Sequence, residues 1–511
     1  MPGVCTPLTW TLWGPIGDAQ SRRVGFDMGV LTRAELRPAS TEDAILQIVY
    51  GRIAMQMEYL MVMCDRIPGA DGTEAVRTFF GRAPDTLVSH PTWRRYPAVA
   101  AKLPYVFATA PGRMTTLAAA TDDWWRTQTR LVPSMSGAQA ARGFAEAANS
   151  FHDTLCLHSL VLCAVVQPLY DALAKLIDKA GTGDIGVLSG SGGAEMAIVG
   201  DMWRASRDEI PLSRVLENHG FHGPFEGELS SRVWRENPAP LQRMVDGYRR
   251  KPDHQNPLLL EDAAARRRPE ETRKVLAALP AARRPGAKAL LALAASRIPF
   301  RGVGKRSYVQ SIDIARQTAR RFADCLVTER LLDDPADVFY LTMDEVTGEL
   351  PRDYRELIEV RKRRRAEYQK LELPNTWRGI VTPSPIVGSV DTAATAVDQS
   401  RQVQGIGVSH GVVEGVVRVI TDPSFDEVED NEILVAPTTD PSWASIMFIS
   451  AGLVVDIGGA FSHAAVVARE LEIPCVVNTG NGTSVLRTGD RVRLDGKTGI
   501  IDILERQPLE V

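Results

Sequence analysis

The residue pattern of this chain changes near residue 400, and that change limits the possible folds more than any other feature. Up to about residue 370, apolar residues recur at helical spacing, and clusters of Pro, Gly and Asp separate the helical stretches. From Gly405 onwards, short β-branched runs alternate with Gly and Asp turns. The pattern predicts a multidomain α + α/β protein, in which a large all-α region precedes a compact domain of strands and one helix.

The spacing of apolar residues predicts individual elements. Helices are predicted over residues 44–63, 138–178, 194–206, 238–250, 269–295, 306–330 and 352–370. Strands are predicted at Val412–Ile420, Glu432–Ala436, Leu453–Ile457, Cys475–Asn478, Arg491–Leu494 and Gly499–Leu504, with one helix from Ser462 or His463 to Leu471. Residues 371–404 are polar, which is typical of a linker. The predicted domains are therefore 1–370 and 405–507, joined by a linker over 371–404.

Composition excludes several classes of protein. The 511 residues are 44% hydrophobic and 24% charged, which is typical of a globular protein rather than a disordered one. The net charge of -4 argues against a nucleic-acid footprint over the whole chain, so no nucleic-acid partner is expected. The 6 cysteines form no Cys-x-x-Cys pair, which argues against a zinc ribbon and fits a reducing cytoplasm. No residue is assigned to a metal.

Neither the start of the chain nor its most apolar run predicts a membrane protein. The first residues, Met-Pro-Gly-Val-Cys, lack the charged start and apolar core of a signal peptide. The run from Leu157 to Val166 is too short to span a bilayer, and we interpret it as part of a buried helix. A cytoplasmic protein without a membrane span is therefore expected.

The stretch from Asp456 to Pro474 carries the strongest chemical signal. A strand ends before Gly458 and Gly459, Ser462 stands where a helix N-cap belongs, and His463 lies in the first turn of an Ala-rich helix. Free backbone N–H groups at a helix start favour an anion, so His463 could hold a phosphoryl group as a covalent nucleophile. The alternative is that His463 only packs against the turn.

Arg469 lies on the same predicted helix as His463. It is about 120° around the helix from the histidine, so an ion pair that fixes the helix is favoured over a contact with phosphate.

These residues resemble the phosphohistidine signature of the swivelling domain of phosphoenolpyruvate-utilising enzymes. The matching residues are Gly458, Gly459, Ser462, His463, Ala464, Ala465, Ala468, Arg469, Glu470, Ile473 and Pro474. The resemblance implies a compact β/β/α swivelling domain, phosphorylation at His463, and a site formed with Ser462, Gly459 and Arg469.

The helical region resembles the acceptor-binding region of rifampicin-phosphotransferase-like proteins. The resemblance rests on Pro2–Trp10, Leu188–Gly193, Asn218–Pro238 and Asp337–Thr342. The family's usual Tyr-Gly-His-Arg-Gly reads His219-Gly-Phe-His222-Gly here. The resemblance of the helical region implies candidates for an acceptor site, where they would supply a base or a cation. These candidates are His219, His222, Glu226, Glu228, Arg232 and Arg235. The alternative is a solvated loop with helix caps.

Two Gly-rich stretches do not meet the requirements of a nucleotide-binding loop. Residues 186–193 contain no lysine, and Gly302–Ser307 follows no apolar strand although it contains Lys305. Both are predicted to be loops ahead of helices.

The resemblance also predicts partners. Nucleotide-using relatives start with an ATP-binding domain, and no stretch of this sequence looks like one. A separate ATP-grasp-type protein, with ATP and Mg²⁺, is therefore expected to phosphorylate His463, and a small-molecule hydroxyl is expected to accept the phosphoryl group. The alternatives are a phosphoenolpyruvate or phenylphosphate synthase subunit with the same histidine, or a non-catalytic ligand-binding protein with an inert swivelling domain.

Overall fold

A computed structural model describes residues 3–80, 83–181, 194–374, 376–385, 401–420, 429, 431–439, 443–459 and 462–507. The helices are α1 Pro7–Asp27, α2 Met57–Asp65, α3 Gly72–Phe80, α4 Tyr96–Leu131, α5 Gly137–Val161, α6 Gln167–Ala180, α7 Ala194–Ser206, α8 Leu212–His219, α9 Ala239–Arg250, α10 Pro257–Ala278, α11 Arg284–Arg297, α12 Phe300–Thr328, α13 Met343–Thr347, α14 Tyr354–Gln369, α15 Ala444–Ile449, α16 His463–Glu470 and α17 Gly482–Val485. The strands are β1 Leu46–Val49, β2 Arg52–Met55, β3 Leu371–Glu372, β4 Ser384–Pro385, β5 Gln402–Gln404, β6 Ile406–Ser409, β7 Val412–Val419, β8 Ile433–Ala436, β9 Gly452–Val455, β10 Cys475–Val477, β11 Arg491–Asp495 and β12 Ile500–Glu505. A helical region followed by an α/β domain is confirmed.

The helical region, which is the described part of the chain up to Gln369, is built around α12. This helix packs along α5 and α4. Its apolar residues share a core with α5 and α1, to which Phe144 and Phe151 of α5 contribute fully buried rings. The same helix also buries two charged residues, Asp313 and Arg316, whose side chains have no exposed surface. Burying charge is unfavourable unless it is paired, so α12 carries a polar site inside an apolar bundle.

The predicted helix over residues 44–63 is wrong in its first half. Strands β1 and β2 form an antiparallel hairpin in which Val49 pairs with Arg52. The two residues between them, Tyr50 and Gly51, have φ values of 47° and 71°. Positive φ at both positions is the requirement of a tight two-residue hairpin turn, so the Tyr-Gly pair overrides the apolar spacing. The region is therefore not purely α-helical.

Other helical boundaries also differ from the sequence pattern. The predicted helix over 269–295 is two helices, α10 and α11, which are separated at Leu279 and Pro280. The stretch Gly302–Ser307 is not a loop, because it lies inside α12. The Gly-rich stretch at 186–193 lies outside the described residues.

The predicted helix over 138–178 includes the most apolar run of the chain. The run Gly137–Ala180 continues from α5 through a π-helical turn, Leu162–Val166, into α6. By length and composition alone this run could cross a membrane, with a mean hydropathy of 1.7 and 44% of the apolar window buried inside the protein. A buried core helix meets the same criteria. Leu160, Val161 and Val165 pack against Val106 and Met114 of α4 in one buried core.

The C-terminal domain, which is the described part of residues 402–507, is one mixed sheet. Its strand order is β5-β12-β11-β7-β8-β9-β10-β6. Strands β7, β8, β9 and β10 are parallel, and the outer strands pair antiparallel. Strand β5 pairs with β12, so the sheet begins a few residues before the predicted boundary at 405. Within the predicted linker, β3 pairs with β4, and residues 386–400 lie outside the described residues.

One face of this sheet joins the helical region. A single buried apolar cluster contains residues of α7, α8 and α9 together with residues of β8, β9, α15 and α16. The other face has its own core, which includes Val435, Val454 and Val476. The C-terminal domain is thus packed on α7–α9 rather than held only by its connection to α14.

Candidate functional site

The chain folds the predicted histidine turn as a helix start. Strand β9 ends at Val455, and Gly458 and Gly459 follow. The Ser462 Oγ accepts a hydrogen bond from the backbone N–H of Ala465 at 3.4 Å, and His463 is the first residue of α16. The predicted cap and helix are therefore present. A helix N-terminus presents free N–H groups and positive partial charge, which suits a phosphoryl group near this position.

A buried aspartate fixes the strand end that leads to this turn. Asp456 follows β9, and its carboxylate accepts a hydrogen bond from Thr479 Oγ1 at 2.7 Å and another from the Thr483 backbone N–H at 3.2 Å. Thr479 follows β10, and Thr483 lies in α17. The sequence reasoning assigned Asp456 no role. Its carboxylate ties three chain segments together below the histidine turn.

Arg469 binds the backbone of β6. Its Nε donates to the carbonyl oxygen of Val408 at 2.7 Å, which joins α16 to β6. This contact favours a structural role for Arg469, as its angle around the helix predicts. The ion pair expected from the sequence stays a prediction.

His222 and Glu226 form the centre of the polar cluster in the helical region. The His222 Nδ1 lies 2.5 Å from Glu226 Oε1, and both side chains are almost fully buried. The Lys305 Nζ of α12 lies 3.4 Å from the other carboxylate oxygen, Glu226 Oε2. Burial alone raises the pKa of Glu226, but the Lys305 ammonium and the His222 imidazole outweigh it and lower that pKa to about 2. Glu226 is therefore an ionised carboxylate held between an imidazole and an ammonium.

His219 belongs to a second imidazole–carboxylate pair beside the first. Its Nε2 lies 3.0 Å from Asp201 Oδ2 of α7, and its ring lies 6.4 Å from the ring of His222. Burial lowers the pKa of His219, and the hydrogen bond that its ring donates to Asp201 opposes that effect only in part. The Nδ1 atom of His219 is buried without a hydrogen-bond partner among the described residues. The structure thus brings His219, His222 and Glu226 together, and their role at an acceptor site stays a prediction.

Arg235 binds a buried aspartate of α12. Its guanidinium contacts both oxygens of Asp313, at 3.3 and 2.9 Å, and the Trp125 Nε1 donates to the same carboxylate at 2.7 Å. Burial raises the pKa of Asp313, but Arg235 and Arg316 lower it more. This bidentate pair favours a structural role for Arg235. Arg232, in contrast, is exposed.

Glu228 binds the N-terminal segment of the chain at Thr6 and Thr9 and is not part of the histidine cluster. Its carboxylate accepts hydrogen bonds from the Thr6 and Thr9 hydroxyls at 2.6 and 2.8 Å, and from the Ser230 hydroxyl at 2.8 Å. The Thr6 and Ser230 backbone N–H groups donate to it as well. These donors occupy both carboxylate oxygens of Glu228, so the group is poorly placed to act as a base.

Sequence reasoning missed three residues of this cluster. Lys305, Asp201 and Asp313 lie on α12 and α7, outside the motif that drew attention. One signal was available for α12: Asp313, Arg316 and Arg320 recur at helical spacing in a helix that is otherwise rich in small and apolar residues. Lys305 lies in a Gly-rich stretch that follows no apolar strand, so its sequence context predicts neither a nucleotide loop nor its contact with Glu226.

A neutral histidine lies beside Lys305. Burial, together with the positive charges of Arg301 and Lys305, lowers the pKa of His158 to about 3. Its ring lies 5.2 Å from the ring of Tyr308, and a Cβ on Gly304 would come within 2.5 Å of His158 Nδ1. Gly304 is therefore the residue that lets α12 approach α5 at this point.

Comparisons with known families agree with this geometry. Residues 428–499 match the family model described as PEP-utilising enzyme, mobile domain. Residues 204–302 match the model described as rifampicin phosphotransferase fourth domain. One segment of the chain is thus similar to the mobile domain of PEP-utilising enzymes, and another is similar to the fourth domain of rifampicin phosphotransferase. The first matched segment contains the Ser462–His463 turn. The second contains His219, His222, Glu226 and Arg235, and it ends three residues before Lys305.

Several curated proteins are similar to just over half of this chain. An uncharacterized protein of Mycobacterium tuberculosis is 34% identical over 295 residues, which are 56% of this chain and 30% of that protein. Rifampicin phosphotransferase of Streptomyces sviceus is 31% identical over 321 residues, or 58% of this chain and 34% of the relative. The prodigiosin synthesizing transferase PigC of Serratia marcescens is 30% identical over 304 residues, or 57% and 33%. The matched part of the chain spans about a third of the length of these relatives.

Solved structures add little. Aconitase X of Thermococcus kodakaraensis covers 21% of this chain and 100% of its own, with 20% identity and a TM-score of 0.18. That score is too low to establish a shared fold.

Proposed function

We propose that this chain is the carrier and acceptor-binding component of a phosphotransferase. His463 takes a phosphoryl group from ATP on a separate ATP-grasp-type protein and passes it to the hydroxyl of a small molecule held by the helical region. The observation that carries the proposal is the Ser462-capped helix start at His463, inside the segment that matches the PEP-utilising mobile domain. ATP and Mg²⁺ belong to the partner in this proposal, and the expected location is the cytoplasm.

Neither the phosphorylation of His463 nor the transfer to the acceptor needs a further reactant. In the charging step, a P–O bond of ATP breaks, a P–N bond forms at His463, and the imidazole proton goes to solvent or the leaving phosphate. In the second step, the P–N bond breaks and a P–O bond forms with the acceptor hydroxyl. The hydroxyl proton passes to a base, and the released imidazole regains one proton. Splitting one transfer into two in this way is what a covalent nucleophile contributes.

The His222–Glu226–Lys305 cluster suits the second step. An ionised Glu226 accepts a hydrogen bond from the Nδ1–H group of His222, which leaves Nε2 of that ring unprotonated and able to take the acceptor's hydroxyl proton. The Lys305 ammonium supplies positive charge beside the same carboxylate, where a transferring phosphoryl group needs it. We therefore assign His222 as the base, Glu226 as the group that orients it, and Lys305 as the cation.

In this proposal Mg²⁺ is held by the partner protein, and no residue of this chain is assigned to it. Among the described residues, no group of three or more His, Cys, Asp or Glu side chains is arranged to hold one.

Labelling with radioactive ATP tests the carrier step. The chain is incubated with γ- or β-labelled ATP and the ATP-binding protein, and the label is characterised by its stability in acid and base. We expect an acid-labile, base-stable label that is absent in His463→Ala. His410→Ala is the matched control, because His410 is an exposed histidine of the same domain, in the loop between β6 and β7.

The possible results separate the alternatives. A label at His463 that is released to a hydroxyl compound supports the proposal, and its release as phosphoenolpyruvate or phenyl phosphate would replace the acceptor while keeping the carrier. The proposal is refuted if this chain carries no label while a control protein, phosphorylated by the same ATP-binding protein, is labelled. That result would identify the C-terminal domain as inert.

A further inference from the structure

One buried arginine of α12 binds the backbone next to the predicted base. The side chain of Arg316 has no exposed surface. Its Nη2 group donates hydrogen bonds to the carbonyl oxygens of Glu226 at 2.9 Å and of Glu228 at 3.1 Å. Glu226 is also the residue whose carboxylate meets the ring of His222. Arg316 therefore holds the main chain on both sides of Gly227, beside the group that orients the base.

Arg316 is the middle member of a row of three arginines on α12 that bind one segment of the chain. We call this segment, Asn218–Ser231, the base loop. Arg306 donates to the first carbonyl oxygen of the base loop at 3.3 Å, and Arg320 donates to its last two at 3.1 and 3.3 Å. The contacts of Arg316 fall between these and lie next to Glu226. Of the three arginines, Arg316 is thus the one placed to control the position of Glu226.

The backbone just before Glu226 has a conformation that needs support. Phe225 has a φ of 52°, which is the left-handed region that residues other than glycine rarely adopt. Such a residue persists where its surroundings hold it. The Glu228 N–H donates to the Phe225 carbonyl oxygen at 2.8 Å and closes a turn, and Arg316 binds the carbonyl oxygens of Glu226 and Glu228 in that turn. This turn sets the direction in which the Glu226 side chain leaves the backbone.

Arg316 is an unfavourable residue at this position if stability alone is considered. Its Nε and Nη1 groups are buried without a hydrogen-bond partner among the described residues, and Nη1 lies 3.7 Å from Asp313 Oδ1. Burying a charge is costly, and apolar residues of similar volume are often as stable as a buried ion pair or more so. Asp313 keeps other partners, because Arg235 and the Trp125 indole N–H bind the same carboxylate. The contact that Arg316 adds is the one to the base loop.

We propose that Arg316 is a positioning residue for the base of the second step. Its two hydrogen bonds hold the turn at Phe225, so that the Glu226 carboxylate accepts the hydrogen bond from the Nδ1–H group of His222. Arg316 acts through the backbone of the base loop and has no contact with the acceptor. The inference rests on the proposed function for its purpose, since that function makes His222 the base, but its test requires no phosphoryl transfer.

The ring proton of His222 reports whether the pair with Glu226 is in place. The chain is produced with isotope-labelled histidine, and the Nδ1–H signal is assigned in the NMR spectrum by its loss in His222→Gln. The rate at which this proton exchanges with water is then measured by transfer of saturation from the solvent. We expect Arg316→Met to raise that rate at least about tenfold, because a base loop that opens more often exposes the pair to water.

Arg320→Met is the matched control from the same row. It also removes two hydrogen bonds to carbonyl oxygens of the base loop, but they lie at its far end, at Ser230 and Ser231. We expect the His222 proton to keep its exchange rate in this variant. Arg316→Lys retains a cation that is less well shaped to reach two carbonyl oxygens, so it should give an intermediate rate. It replaces Arg316→Met if that variant does not fold, and denaturant unfolding records the stability of each.

Three results would overturn the inference. The first is an exchange rate in Arg316→Met equal to that of the natural chain, and the second is an equal rise in Arg316→Met and Arg320→Met, which would show general loosening of the base loop. The third is a natural chain in which His222 gives no Nδ1–H signal. In contrast, the expected exchange rates in a chain that never accepts phosphate at His463 would contradict the proposed function and leave the effect of Arg316 on the pair intact.

Discussion

Glu226 is a buried carboxyl group that stays ionised because Lys305 and His222 are beside it. Its pKa of about 2 in the folded protein lies below the ordinary value of 4.5. Ionised Glu226 therefore stabilises the fold above about pH 4.5, and this contribution is lost as the pH falls toward 2. The shift corresponds to on the order of 3 kcal/mol. We expect Glu226→Gln to show a weaker loss of unfolding free energy in urea between about pH 6 and pH 3 than the natural chain.

The exposed Glu367 of α14 provides the control for this prediction. Glu367→Gln keeps the pH dependence of the natural chain. Parallel stability curves for the natural chain and Glu226→Gln would show that the carboxylate is not held by Lys305 and His222.

The effect of substituting Arg235 on the free energy of unfolding distinguishes a structural role for this residue from a catalytic one. Because its guanidinium neutralises the fully buried Asp313, we expect Arg235→Met to lower the free energy of unfolding by about 3 kcal/mol. Arg232→Met, at an exposed arginine three positions earlier, is expected to change it by less than about 0.5 kcal/mol. Denaturant unfolding measures both. A small effect of Arg235→Met on stability, combined with a large effect on transfer, would instead assign Arg235 to the acceptor.

Some residues of the cluster around Glu226 are predictable from the sequence, whereas others are brought there only by tertiary packing. His219, His222 and Glu226 lie close together along the chain, so one motif presents all three. Lys305 reaches Glu226 only because α12 packs against the loop that follows α8, and no local pattern encodes that contact. A motif shows which groups are near one another in sequence, whereas the charges that tune them come from tertiary packing.

At the scale of the element, α16 depends on its cap. The Ser462 Oγ bonds to the Ala465 N–H at a long 3.4 Å, so we expect Ser462→Ala to destabilise the helix start by about 0.5–1 kcal/mol. Ser462→Asp retains the acceptor and is expected to restore most of the loss. Hydrogen exchange at the amides of Ala464 and Ala465 measures the effect. Unchanged exchange in Ser462→Ala would mean that packing of α16 alone fixes the turn that carries His463.

Elements with strong local signals were predictable, and those set by a turn or by a single residue were not. The Gly-Gly turn, N-cap and Ala-rich run around Ser462 specify α16 locally. The hairpin of β1 and β2 depends instead on positive φ at Tyr50 and Gly51, which apolar spacing does not reveal. The proline-containing helices α1 and α4 were missed because proline weakens the helical pattern, although Pro15 and Pro104 lie inside them.

At the scale of the whole molecule, the sequence indicated two kinds of region but not how they pack. Helical and strand periodicities identify buried faces without naming the partner of each face. The apolar face of α15 packs on α7 and α9, and one core therefore spans the change of pattern near residue 400. The polar segment over 371–404 predicted two independent parts, whereas the described residues on either side of it share that core.

Because this shared core is apolar, we expect burial of apolar side chains, rather than ion pairing, to hold the two regions together. Trp203 is 2% exposed within the core, so Trp203→Ala is expected to lower the free energy of unfolding by about 3–5 kcal/mol. Arg267 pairs with Glu472 across the same boundary, but the two side chains are 57% and 47% exposed, so Arg267→Ala should change it by less than about 1 kcal/mol. Denaturant unfolding with and without about 1 M sodium chloride measures both. Salt should leave the effect of Trp203→Ala nearly unchanged and reduce the small effect of Arg267→Ala, since it screens exposed charges and not buried apolar contact. A boundary held by charge would reverse this order: Arg267→Ala would be the more damaging variant, and salt would remove its effect.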